Sequence, residues 1–164
     1  MALGMQYSYQ FENVRAAILG GAYSNVRFFQ FGGMGYQNDA DSETYATTAM
    51  APPIWPWQNL TTSMKFSNNS GTGAIQAFGS LSATCFHFAQ AITDAWGAAA
   101  APPIGLITNA VGGTTIASWS DPEDLAQCVN ATDTASAAPP WVLFRGMAAP
   151  FFNMTITAAL WYRE

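Results

Sequence analysis

The stretch Ser80–Trp96, SLSATCFHFAQAITDAW, decides the fold reading. Leu81, Cys85, Phe88, Ile92 and Trp96 recur at i, i+4, i+7, i+11 and i+15, which lays one apolar stripe along a helix. Ser80 is placed as its N-cap and Gly97 as the residue that stops it. A low-complexity connector, Ala98–Pro103, leads into Ile104–Asn109 (IGLITN), a short apolar run expected as a buried strand. Val111-Gly112-Gly113-Thr114-Thr115 follows at once.

Working outward, Val26–Phe31 (VRFFQF) is β-branched and aromatic, bounded by Ser24-Asn25 and Gly32-Gly33, and reads as another strand. Ile156–Tyr162 (ITAALWY) is expected as a third. Phe11, Val14 and Ile18 give a weak helical spacing. Asp121-Pro122-Glu123-Asp124 opens a helix with an Asp cap, Pro in the first turn and acids favoured by the dipole, running to about Cys128. Trp141–Ala149 is expected to be helical and Pro150 to end it. Residues 32–79 are rich in Gly, Asn, Asp, Ser, Thr and Pro, with Pro52, Pro53 and Pro56 against a helix, and read as a long loop that is functional or covers a site. Strand–helix–strand–helix–strand with strands this apolar predicts an α/β fold, a parallel sheet covered by helices, in one domain spanning 1–164. The last expected strand has nothing after it, so the sheet reads as incomplete. In such sheets chemistry sits at strand carboxyl ends, here Gly32-Gly33, Gly112-Gly113-Thr114 and Arg163-Glu164.

Composition narrows the function classes. The 164 residues are 50% apolar and 14% aromatic but only 9% charged, the reverse of a disordered tail. No run reaches the ~18 apolar residues of a spanning helix. A net charge of −5 with five scattered cations argues against nucleic acid and anionic lipid. Four Asn begin Asn-x-Ser/Thr acceptors: Asn59, Asn68, Asn130 and Asn153. Roughly one or two would arise by chance, so the excess leans toward a secreted glycoprotein, against the alternative of an accident of composition. Met1–Gln10 lacks the basic and apolar regions of a signal peptide, so either the protein is cytosolic or its N-terminus lies upstream. Cys85 and Cys128 fit one disulfide or two thiols equally.

Few residues carry chemistry by pattern. Gly112-Gly113 after a strand lets backbone N–H groups approach an oxyanion, although strand-to-loop turns also use Gly for sterics. No Gly-Lys-Ser/Thr element cradles phosphate. One His and two distant Cys give no metal-ligand spacing, and no cofactor is expected. Asp39, Asp41 and Glu43 read as a solvated loop; Asp121, Glu123 and Asp124 as helix capping. His87 lies mid-helix beside Ala83 and Ala91, a structural position, so no complete nucleophilic constellation is expected. Trp55, Trp57 and Tyr45 could stack on sugar faces or anchor the long loop.

Ser82-Ala83-Thr84-Cys85-Phe86, Pro103-Ile104-Gly105-Leu106-Ile107 and the run from Gly112 to Ser120 resemble, in order and spacing, the sialate O-acetylesterase family. Leu125-Ala126-Gln127-Cys128, Met147-Ala148-Ala149-Pro150, Asn153-Met154-Thr155 and Leu160-Trp161-Tyr162 continue the resemblance, which runs from about Met5 onward. It implies a three-layer α/β/α fold of the SGNH type and a serine esterase that removes O-acetyl groups from sialic acids or related sugars, lysosomal or secreted. It further implies an oxyanion-hole N–H in the loop of Gly112, Gly113 and Thr114. The family's nucleophile motif, Gly-Gln-Ser-Asn-Met, meets Met5-Gln6 at its end, which leaves Leu3 near the Ser position. Its Trp-Tyr-Gln-Gly-Glu motif, whose Gln is an oxyanion donor, meets Arg163-Glu164 after Trp161-Tyr162, and its Asp-x-x-His has no counterpart. The resemblance therefore implies the middle of an esterase cut at both ends, inactive as an isolated chain. A non-catalytic glycan-binding relative and a truncated fragment that never folds alone are the alternatives.

Overall fold

The computed structural model describes residues 4–31, 55–64, 67–68, 75–111, 113–127, 141 and 143–161. The chain forms two compact units, one of Ala2–Gln30 with Pro53–Thr108, the other of Phe31–Pro52 with Asn109–Arg163.

The first unit is built on helix α1 (Phe11–Leu19), strand β1 (Val26–Phe31), strand β2 (Trp55–Asn59) and the short helix α2 (Leu60–Ser63). A two-residue ladder pairs β3 (Ser67–Asn68) with β4 (Ile75–Gln76). Helix α3 (Ala77–Ser80), helix α4 (Ala83–Trp96) and strand β5 (Ile104–Asn109) follow. The sheet has the order β2-β1-β5 and is mixed: β1 and β2 run antiparallel, so the β1–β5 pair supplies the parallel component. The fold is thus mixed α/β, with one antiparallel pair where the sequence predicts an all-parallel sheet.

Strand β2 lies inside the stretch expected as a loop. Pro56 argues against a strand, yet a proline is tolerated on an edge or at a bulge, where no ladder N–H is needed. Both conditions hold here. β2 is an edge strand among the described residues, and the register slips between Phe28↔Gln58 and Gln30↔Trp55, leaving the extra residue on the Pro56–Trp57 side.

Helix α4 confirms the expected helix but not its start or its face. Ser82, not Ser80, is the N-cap, its Oγ accepting from the Cys85 N–H at 3.4 Å. Gly97 ends it at φ +76°, a left-handed conformation that favours glycine. The buried residues are Phe86, Ala89 and Thr93, whereas Phe88 is 40% and Trp96 63% exposed. The core-facing stripe is therefore rotated from the one that hydrophobicity alone selects. Neighbours decide the face: Phe86 meets Phe78 edge-on at 5.4 Å and Tyr23 at 5.7 Å, and Phe78 stacks on Phe11 at 5.8 Å. Met5, Ile18, Val26, Phe28, Leu60, Leu81 and Leu106 complete this core.

Two polar clamps fix the unit. Asn25 donates through Nδ2 to Thr93 Oγ1 (3.1 Å) and to the Pro102 carbonyl (2.9 Å), while its own carbonyl accepts from the Ile104 N–H at 2.9 Å. The connector from α4 to β5 is thereby held at the start of β1. At the N-terminal end, a one-turn 3₁₀ helix (Met5–Tyr7) is seated by the Met5 N–H on the Leu81 carbonyl (2.8 Å) and by a Gly4–Ser82 bridge. A Cβ on Gly4 would lie 2.6 Å from the Gly79 carbonyl oxygen, so only glycine fits that approach.

In the second unit, a 3₁₀ turn (Ile116–Trp119) precedes helix α5 (Pro122–Ala126). Asp121 caps α5 as expected, accepting from the Glu123 N–H at 2.8 Å, though the helix stops at Ala126. Phe144–Ala148 forms a π-helical turn where an α-helix is expected, and Pro150 does not end it but sits in the first turn of a 3₁₀ helix, Ala149–Phe151. The expected strand at 156–162 is absent over its described part. Residues 155–161 are irregular, with Ile156, Leu160 and Trp161 exposed, because an apolar run becomes a strand only where a neighbour completes its ladder. No helix among the described residues is long and apolar enough to cross a membrane.

Candidate functional site

The turn after β5 is the first candidate. Gly113 is exposed and takes φ +75°, which a side chain would strain. Thr114 is locked by its hydroxyl, which donates to the Val111 carbonyl at 2.8 Å and accepts from Trp119 Nε1 at 2.9 Å. The 3₁₀ turn behind it is anchored by buried Ala117 and Ser118, and the Ala117 carbonyl accepts from the Trp141 N–H at 2.8 Å. Asn109, closing β5, donates through Nδ2 to the Met147 carbonyl at 2.6 Å, while its Oδ1 is buried without a partner among the described residues. Arg145 lies over the Trp141 ring at 4.6 Å. A preorganised backbone turn of this kind can present an N–H to a developing oxyanion.

The other sequence candidates fare differently. Gly112, Arg163 and Glu164 lie outside the described residues, as do Asn130, Cys128 and the carboxylates Asp39, Asp41 and Glu43. The Cys85–Cys128 alternative lies there too; Cys85 itself is partly buried on α4 and packs against the core. Of the glycosylation acceptors, Asn153 is exposed. Asn59 is partly buried and employed, its Oδ1 accepting from the Thr62 N–H at 2.7 Å as the N-cap of α2. Asn68 stands in the β3–β4 ladder.

Trp57 is 47% exposed and leans on Phe29 at 5.5 Å. Its ring also covers Gly105, where a Cβ would meet the indole at 3.2 Å. The indole is thus both an anchor and an exposed platform.

One arrangement joins residues far apart in the sequence. Ser8 Oγ lies 3.1 Å from His87 Nε2, and His87 Nδ1 lies 2.8 Å from Gln90 Oε1. Gln90 Nε2 in turn donates to the Tyr23 hydroxyl at 3.0 Å. His87 and Gln90 are one helical turn apart on α4, a pairing legible from spacing. Ser8 is 79 residues from His87, and only the seating of the N-terminal turn on α4 brings them together.

Set against known proteins, the chain matches no protein-family profile and no curated sequence.

Proposed function

We propose that this chain serves the removal of O-acetyl groups from sialic acids or related sugars by serine-esterase chemistry. The proposal includes the three-layer α/β/α architecture of the sialate O-acetylesterases, beyond the mixed α/β fold described above, and a secreted or lysosomal setting. The observation that carries it is the locked turn at Gly113 and Thr114 after β5. In this reading the Gly113 region donates an N–H to the acetyl carbonyl oxygen, and the O-acetylated sugar is the partner; no cofactor takes part. An acyl-transfer transition state gathers negative charge on that oxygen, and one such donor lowers the barrier by about 2.7–4 kcal/mol. Leu3 supplies no nucleophile at the position the resemblance assigns to it, so in this reading the isolated chain does not itself turn over the sugar ester.

A second reading, glycan binding without catalysis, is favoured by the half-exposed Trp57 indole held over Gly105. Aromatic faces of this kind bind sugar C–H surfaces.

Saturation-transfer NMR on the purified chain separates the two. With 9-O-acetylated and unacetylated sialic acid, the esterase reading expects the acetyl methyl to receive the strongest transfer, and Gly113→Val to remove the preference. The glycan-binding reading expects equal binding of both sugars, lost in Trp57→Ala with the fold retained. Absence of binding to either sugar overturns both.

A further inference from the structure

The geometry points to a nucleophilic centre, Ser8 activated by His87 and Gln90, that accepts an acyl group from a short-chain carboxylic ester. It does not rest on the sugar-esterase reading, and its residues all belong to the first unit.

The hydrogen-bond order assigns the protons. Gln90 presents Oε1, a pure acceptor, to His87 Nδ1, so Nδ1 carries the ring hydrogen. Nε2 then holds a lone pair and the Ser8 hydroxyl is the donor across 3.1 Å. This is the tautomer in which an imidazole acts as general base toward a serine, with a neutral amide in the orienting place. Gln90 is held in turn by Tyr23, whose backbone sits at φ +59°, a strained conformation for a non-glycine residue. The ring of His87 packs edge-on to buried Phe86 at 5.6 Å. Ser8 is fixed from below by Met5, fully buried, and by the Met5–Leu81 bond.

Access and a backbone donor are present. Ser8 and His87 are both partly exposed. An open cavity of about 390 Å³ beside the relay is lined by Tyr9, Gln10, Tyr23 and Gln90 among others, and not by Ser8 or His87 themselves. The Gln10 N–H donates to Ser8 Oγ at 3.3 Å and holds the hydroxyl in place.

The step balances within the relay. Ser8 Oγ bonds to the acyl carbon as its proton passes to His87 Nε2, and the carbonyl π pair moves onto oxygen. Collapse of that intermediate breaks the ester C–O bond, and the leaving alcohol takes the proton from Nε2. Water then attacks acyl-Ser8, gives its proton to Nε2, and releases the carboxylic acid with Ser8 re-protonated.

The test is labelling of the purified chain with a fluorophosphonate, located by peptide mass mapping. We expect one adduct, on Ser8, absent in Ser8→Ala and formed at least about 100-fold more slowly in His87→Gln, the scale of a lost general base. Labelling of the native chain should also vanish in urea, which shows that the folded arrangement activates the serine without depending on any variant. No adduct on Ser8 in the folded chain, an adduct that persists in urea, or a folded His87→Gln that labels at the native rate overturns the proposal. Sugar recognition at the Gly113 turn can fail while Ser8 labels, and the reverse, so the two proposals fail separately.

Discussion

Truncating Phe86 and Phe88 in turn tests which face of α4 meets the core. Phe86 is fully buried and makes two edge-on ring contacts, at 5.4 Å with Phe78 and 5.7 Å with Tyr23. Removing its ring forfeits about 2–3 kcal/mol of burial. The two ring pairs add about 1–2 kcal/mol. Phe86→Ala should therefore cost about 4 kcal/mol, within the range of about 3–5 found for buried Phe→Ala changes. Phe88 is 40% exposed, and Phe88→Ala should cost about 1 kcal/mol or less. The assay is urea unfolding followed by far-UV circular dichroism. With a slope of about 2 kcal/mol per molar urea, the Phe86 variant loses about 2 M from its midpoint and the Phe88 variant about 0.5 M. Equal losses, or a larger loss for Phe88, would refute the packing described for α4 and restore the stripe through Leu81, Cys85 and Phe88.

Three further outcomes are expected. Gly4→Ala, which drives a Cβ to 2.6 Å from the Gly79 carbonyl oxygen, should lower the thermal midpoint by several degrees through a strain of about 1–3 kcal/mol; an unchanged midpoint contradicts that approach. Ser82→Ala should cost about 1 kcal/mol by removing the cap on the Cys85 N–H, read as a urea midpoint shift of about 0.5 M; no shift would return the cap to another residue. On secretion from a glycosylating host, Asn153 should carry glycan and Asn59, partly buried and capping α2, should not; peptide mapping after enzymatic deglycosylation finding the reverse would contradict the exposures described.

Local chemistry was legible in the sequence where one residue settles it. Gly97 ends α4, Asp121 caps α5, and the apolar runs at Val26–Phe31 and Ile104–Asn109 are strands. What depends on partners was not legible. The face of α4 is chosen by Phe78 and Tyr23, which periodicity does not see. Strand β2 contains Pro56, and only its edge position and bulge make that residue acceptable. Residues 155–161 have strand composition but no ladder partner among the described residues. Of the candidate site, Gly113 and Thr114 were visible as a glycine turn after a strand. The contact between Ser8 and His87 was not, because it exists only once the Met5–Tyr7 turn docks on α4.

The most direct test of the proposed acetyl-ester recognition is a titration of the purified chain with 9-O-acetylated sialic acid against the unacetylated sugar, followed by saturation-transfer NMR. The account predicts saturable binding of the acetylated sugar, strongest at its acetyl methyl and weakened in Gly113→Val. Equal transfer to both sugars, or a preference that survives Gly113→Val, would contradict it.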